Sequence, residues 1–301
     1  MPSPLVSIII PTYNRLPIVC RAIDSVLSQS YKQIECIVVD DFSNDGTVDV
    51  LSKKYGSQIT ILQNEKNFDK SYSRNRGINN ANGNFICFLD SDDELTPKSI
   101  ESRLEVFLDT PSFKGVSFGM RMNENSSPET ALKSIKLMAR ESLTLDDYLN
   151  NTLLLSTNSF LIPKKLMLEH GMYNEAINNK EDIELFLRLL TSLPFIFCGT
   201  VVTTVHQDAK NRTRNDEEKF LLQKNIFTET ISTNTSLMEK LGPRFKDIQK
   251  EEHNEILRAL YRTCKGKKYR RTYRDGWSNK LSSRNFKFLK RYLLSYFHSE
   301  S

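Results

Sequence analysis

Two groups of carboxylates stand where chemistry is possible. Asp40 and Asp41 follow the apolar run Ile34 to Val39, and Asp90, Asp92 and Asp93 follow the run Phe85 to Leu89. Both runs are short and near-continuous in apolar residues, as buried parallel strands are, and ligands of open parallel sheets bind outside the carboxyl ends of the strands. Strand-end aspartates also serve as turn residues and helix caps. Thr96 and Pro97 already read as N-cap and first residue of the next helix. Asp90, Asp92 and Asp93 therefore repel one another with no capping task, unless a cation joins them. Hard divalent ions such as Mn²⁺ or Mg²⁺ take oxygen ligands, often one or two carboxylates completed by substrate phosphates. The cluster is thus a candidate metal-diphosphate site. A second acid pair, Glu181-Asp182, opens a helical stretch, where the helix dipole alone would favour acids. His206 closes a strand further on.

The intervening segments must carry these residues. Leu5 to Ile10, Ile34 to Val39, Ile59 to Leu62 and Phe85 to Leu89 read as strands. Between them, Ile18, Val19, Ala22, Ile23, Val26 and Leu27 form one apolar stripe, and further helices are expected over 46–55 and 71–81. Strand and helix in alternation predict an α/β fold: a doubly wound, mostly parallel sheet with helices on both faces. Later elements are a helix from Pro97 to about Leu108, strands near 115–120, 158–162 and 195–205, and helices over 145–149, 163–170 and 181–190. Residues 123–139 have no clear pattern. From about Asp216 the sequence is helical in period and basic, so domains are expected at 1–214 and 215–301.

Composition narrows the function. The chain has 301 residues with 39% hydrophobic and 26% charged, ordinary globular values. Its longest uncharged stretch, Leu189 to Val205, contains Pro194 and Gly199 and is shorter than the ~20 residues of a membrane span. No basic residue precedes the first apolar run, so a cytoplasmic location is expected. The five cysteines form no CxxC pair and read as reduced packing residues. No glycine spacing fits a dinucleotide fingerprint or a Walker loop, and neither HExxH nor GxSxG occurs. The net charge of +5 is uneven: Lys240 to Arg291 holds 17 Lys and Arg against five acids. A basic tail of this kind meets phosphate, whether on an anionic membrane surface or on a nucleic acid. Phe286, Leu289, Leu293 and Tyr296 recur at helical spacing beside Lys287, Lys290 and Arg291, as in an interfacial helix or one docked on the protein itself.

With these motifs in view, the chain resembles the inverting glycosyltransferases of family 2, which have the GT-A fold. The resemblance rests on Val6 to Arg15 (VSIIIPTYNR), Val38 to Thr47 (VVDDFSNDGT), Ser73 to Gly77 (SRNRG), Phe88 to Asp93 (FLDSDD), Gly171 to Glu175 (GMYNE) and Lys180 to Asp182 (KED). It covers residues 5 to 206. It implies that Pro11, Thr12 and Tyr13 line a nucleotide pocket with the Tyr13 ring on the base. Asp41 would accept from the base imide, Arg74 would hold the nucleotide, and Asp90 would touch the ribose. Asp92, with Asp93 and His206, would hold Mn²⁺ or Mg²⁺ on the diphosphate, and Asp182 would be the catalytic base. The donor implied is a nucleotide-sugar, UDP-linked, and the acceptor a glycan or lipid-linked glycan of a bacterial surface polysaccharide. The chain departs from the family's pattern at Gln207 to Arg214, which is richly charged; Lys210, Arg212 and Arg214 there could reach phosphate from a lid. Two rival readings are a nucleic-acid-binding protein using Tyr261, Tyr269, Tyr273 and Trp277, which leaves the acid cluster unused, and a non-catalytic relative, against which stand Asp90, Asp92 and Asp182.

Overall fold

The computed structural model describes residues 3–133, 138–149, 155–206 and 226–250. The chain divides into two compact units, Met1–Arg212 and Thr213–Ser301. In the first, β1 (Val6–Thr12), β2 (Ile34–Asp40), β3 (Thr60–Gln63) and β4 (Phe85–Phe88) alternate with α1 (Ile18–Leu27), α2 (Thr47–Tyr55) and α3 (Lys70–Asn80). The continuation is β5 (Glu94–Leu95), α4 (Ser99–Asp109), β6 (Val116–Asn123), α5 (Pro128–Lys133), β7 (Ser142–Leu143) and α6 (Leu145–Leu149). A 3₁₀ turn (Thr157–Ser159), β8 (Phe160–Pro163), α7 (Lys164–Glu169), α8 (Glu181–Leu190) and β9 (Phe195–Val205) complete the unit.

The sheet runs β3-β2-β1-β4-β8-β6-β9-β5, with β7 also paired to β9. Its first four strands are parallel, with Thr12 opposite Asp40 and Ile9 opposite Phe88. β8 lies antiparallel between β4 and β6, and β6 and β9 are again parallel. This is the expected α/β GT-A architecture, its parallel half built as the alternating pattern predicts. Two apolar layers flank it. Val6, Ile8 and Ile10 of β1 pack with Val19, Ala22, Ile23 and Val26 of α1 and with Ile100 and Leu104 of α4. Ile9 points the other way, into a second cluster that includes Ile78 of α3 and Leu185, Phe186 and Leu189 of α8. Each such buried side chain contributes about 1.5–3 kcal/mol, and the period of two along β1 assigns each face its own helices.

One boundary differs from expectation. α4 begins at Ser99, and Thr96 with Pro97 precedes it. Thr96 is drawn into the sheet edge instead: its N–H donates to Val202 O at 3.0 Å and its hydroxyl to Val201 O at 2.8 Å. Pairing with β9, more than 100 residues away in sequence, overrides the local capping signal. Residues 123–139, without pattern in the sequence, include α5.

In the second unit, residues 226–233 are helical, followed by a helix at Thr235–Leu241 and a 3₁₀ turn at Gly242–Arg244. The Asn234 side chain caps that helix by accepting from the Leu237 N–H at 3.0 Å. The charged stretch Gln207 to Arg214, and the basic run and final amphipathic segment beyond residue 250, lie outside the described residues. Among the described residues no helix is long and apolar enough to cross a membrane.

Candidate functional site

The carboxyl ends of β1, β2 and β4 lie side by side, so Thr12-Tyr13, Asp40-Asp41 and Asp90 to Asp93 meet at one edge of the parallel sheet. Pairing of Thr12 with Asp40 is extended by the Asp41 N–H, which donates to Thr12 O at 2.8 Å. Beyond it the Asn14 N–H donates to Ser43 Oγ and the Asn44 N–H to Asn14 Oδ1, both at 2.9 Å. These bonds tie the two strand-end loops together. Tyr13 stands out from them with 45% of its surface exposed, while Thr12 is buried and Pro11 half-buried. Among the described residues, Thr12 Oγ1 and Asp40 Oδ1 are buried polar atoms with no protein partner.

Asp41 is buried and already busy. Its Oδ1 accepts from Asn64 Nδ2 at 2.7 Å and from the Phe68 N–H at 2.9 Å, and its Oδ2 from the Asp69 N–H at 2.8 Å. The carboxylate thereby shapes the loop that leads into α3, and Oδ2 keeps acceptor capacity for a further donor. Asn64 is fixed in turn by Ser73 Oγ and by Arg76.

α3 carries Arg74 into the interior. Its Nη2 lies 2.8 Å from Asp90 Oδ1, its Nη1 2.8 Å from Glu181 Oε1, and its guanidinium packs over the Tyr173 ring. Burial works against the charge, but Tyr173, Asp90 and Glu181 outweigh it and raise the pKa, so the cation is permanent. Lys70 adds a second cation 2.7 Å from Glu181 Oε1. Neighbouring Asn75 holds the loop before α8, accepting from the Tyr173 N–H and donating to Tyr173 O and Glu175. Ser71 does the same by donating to Ile177 O. α3 can sit this close to β1 because residue 77 is glycine: a Cβ there would meet Ile9 Cγ2 at 2.4 Å.

Asp182 follows Glu181 in the first turn of α8. It is half-buried, and its pKa is raised by desolvation and by the Glu181 charge, with Lys70 and Arg74 opposing. A carboxylate that holds a proton more tightly than usual is a better general base once ionised. The pKa of Tyr148 in α6 is raised by burial first and by the Asp182 charge second.

The acid turn divides into an outer and an inner part. Asp90 and Asp92 keep 39% and 22% of their side chains exposed, and Asp92 Oδ2 pairs with Arg15 at 2.8 Å. Asp93 is buried, and its pKa is raised to about 7 by burial and by the charges of Asp90 and Asp92. Its oxygens accept from Asn158 Nδ2 at 2.6 Å and from the His206 N–H at 3.2 Å. His206 thus reaches the turn through its backbone. Its ring lies between Glu94 Oε2 at 2.5 Å from Nε2 and Glu124 Oε2 at 2.6 Å from Nδ1. Among the described residues no group of three or more His, Cys, Asp or Glu is placed to hold a metal ion by itself. By chemistry the carboxylates would suit a hard divalent cation completed by phosphate oxygens, with Asp90 and Asp92 here paired to Arg74 and Arg15.

Sequence reasoning did not single out Asn64, Asn158, Lys70, Arg15, Glu94 or Glu124. Lys70 is the first residue of α3, four before Arg74, and i,i+4 spacing was a usable signal there. The others reach the acids and His206 across 23 to 112 positions and leave no local trace.

The sequence model of glycosyl transferase family 2 matches residues 7–170, and the chain belongs to that family. It is 34% identical over 193 residues to TuaG of Bacillus subtilis (strain 168), a glycosyltransferase ascribed to teichuronic acid biosynthesis, covering 62% of this chain and 73% of TuaG. It is 30% identical over 191 residues to the chondroitin synthase of Pasteurella multocida (strain Pm70), covering 62% of this chain but 19% of that one. The crystal structure of S. aureus TarS 1-349 in complex with UDP-GlcNAc superposes with a TM-score of 0.65 at 17% identity, over 97% of this chain and 89% of TarS 1-349, and shares the fold.

Proposed function

We propose that the protein is an inverting, metal-assisted glycosyltransferase that takes its sugar from a UDP-sugar. The observation that carries this reading is the Arg74 bridge from Asp90 to Glu181, which sets the strand-end acids and Asp182 about one cation. Support for the donor comes from the exposed Tyr13 ring and the free capacity of Asp41, which suit a base, and from TarS, crystallised with UDP-GlcNAc.

In this reading Tyr13 stacks on the base, worth about 1–3 kcal/mol in comparable sites. Asp41 accepts from the base, and Asp90, oriented by Arg74, receives the ribose. Asp92 would hold Mn²⁺ or Mg²⁺, which when bound stabilises charge on the departing diphosphate. Asp182 takes the proton of the acceptor hydroxyl as that oxygen attacks the anomeric carbon; the bond to the diphosphate oxygen breaks and UDP leaves. Attack opposite the leaving group inverts the anomeric centre.

The acceptor we propose is a hydroxyl of a glycan or lipid-linked glycan in bacterial surface polysaccharide synthesis, as the name of TuaG suggests. Residues 1–214 would carry catalysis from the cytoplasmic side. The basic stretch Lys240 to Arg291 would meet the anionic inner membrane surface, each Lys or Arg contributing about 1 kcal/mol near it. Thermal-shift screening of nucleotide sugars with and without Mn²⁺ tests the reading. Stabilisation by a UDP-sugar only with metal is expected, and indifference to every nucleotide would overturn it. Equal co-sedimentation with anionic and neutral vesicles would remove the membrane role.

A further inference from the structure

Asn158 is 1% exposed and spans the acid turn from end to end. Its Oδ1 accepts from the Asp90 N–H at 2.8 Å, and its Nδ2 donates to Asp93 Oδ2 at 2.6 Å. The turn closes on itself through the Asp93 N–H, which donates to Asp90 O at 3.1 Å. An asparagine amide offers an acceptor and a donor on one planar group, and here one end needs the acceptor and the other the donor. No other side chain of this size serves both ends at once.

Asn158 is itself anchored from below. Its carbonyl accepts from Thr203 Oγ1 at 2.9 Å and, at 3.4 Å, from Nη1 of Arg103. Arg103 is wholly buried, and its remaining donors go to Phe160 O, Ser99 O and Ser99 Oγ. A buried arginine is costly unless its hydrogen bonds are met. Here they are met by the segment that presents Asn158 and by the first turn of α4, which ties the amide to rigid elements on both sides.

From this the geometry points to Asn158 as a positioning residue of the transfer reaction. It pins the turn so that Asp93 faces inward as the anchor while Asp90 and Asp92 are left outward, toward the ribose and the diphosphate respectively. The inference rests on the proposed nucleotide-sugar reading and adds a division of labour among the three acids.

The test uses the full chain and two measurements: amide hydrogen exchange at Asp90, and UDP affinity in Mn²⁺ by calorimetry. Asn158→Ala should speed exchange of the Asp90 amide and weaken UDP binding by about tenfold, the scale of one lost buried hydrogen bond. Asn158→Asp should be worse, since it sets a carboxylate against Asp93. Combining Asn158→Asp with Asp93→Asn reverses the polarity of the pair while keeping an acceptor for the Asp90 N–H, and should recover UDP affinity to within about threefold of wild type. A purely structural role would lower the melting temperature without speeding exchange at Asp90 in Asn158→Ala and without recovery of UDP affinity in the double variant. Unchanged exchange and affinity in Asn158→Ala would overturn the inference. So would a double variant no better than Asn158→Asp alone, which also decides the matter if the alanine variant does not fold. Should wild type itself bind no UDP, the nucleotide reading fails and the exchange arm alone judges whether Asn158 holds the turn.

Discussion

Arg74 Nη1 lies 2.8 Å from Glu181 Oε1, and both side chains are almost wholly withdrawn from solvent. Ions so placed lose most of their hydration, and removing one leaves the other stranded, at a cost of about 3–5 kcal/mol. Arg74→Met should therefore destabilise the fold by roughly 3 kcal/mol in urea unfolding, Lys70 compensating part of the loss. Adding Glu181→Leu should return more than half of it, because the stranded carboxylate is gone. UDP affinity should stay low in both variants, since neither restores a partner for Asp90. Additive losses in stability would mean that the two side chains do not act as a pair.

Asp182 and Glu181 should separate by kind of effect. Asp182→Asn keeps shape but removes the proton acceptor, so turnover should fall by about 10²–10⁴ with UDP affinity nearly unchanged. Glu181→Gln should retain more turnover and lose stability, in line with its ion pair to Arg74. Steady-state kinetics beside calorimetry distinguishes the cases. Normal turnover in Asp182→Asn would place the base elsewhere.

The raised pKa of Asp182 has two consequences of fixed sign. Turnover requires the ionised form, so its acidic limb should lie above the ordinary aspartate value of about 3.9. For stability, the folded state holds the proton more tightly than the unfolded chain. Stability therefore declines as pH rises from the unfolded to the folded pKa, and the penalty is complete above the latter. Asp182→Asn should be more stable than wild type at neutral pH, and the difference should shrink on acidification. Under the proposed role of Asp182, that cost to the fold fits the usual trade between activity and stability. Denaturation at several pH values would detect the opposite sign, which would refute the assignment of desolvation as the main cause.

Gly77 tests the seat of α3. In Gly77→Ala the new methyl meets Ile9, which lies in the core, so the helix must shift or the strand must give. Overpacking of this sort costs about 1–3 kcal/mol. Because Arg74 rides on the same helix, UDP affinity should fall with stability. A neutral or stabilising Gly77→Ala, read by thermal melting, would show that the contact relaxes freely.

The parallel half of the sheet and the acids at its strand ends were legible in sequence because their signals are local: a run of Val and Ile, then Asp. α8 and β9 were equally clear, and their bounds agree with expectation. What surrounds those acids was not legible. Asn158 reaches Asp93 across 65 positions, and Glu124 reaches His206 across 82. Single polar residues that meet only when the chain has folded have no period and no motif. The Thr96-Pro97 helix start failed for the same reason, as a local preference was overruled by β9.

β9 also orders events in time. Among the described residues β5 pairs only with β9, and the inner wall of the acid turn includes the His206 N–H immediately after it. A ribosome that has delivered β1 to β5 has supplied every outward acid of the turn but not its backing, of which Asn158 comes 65 residues after Asp93 and His206 113 residues after it. Contacts of such sequence separation form slowly, and domains begin to fold as they emerge. The nascent protein therefore carries an unfinished, highly charged edge until residues 195–206 are made, and termination before that point would release a sheet whose acid turn lacks its β9 and His206 backing.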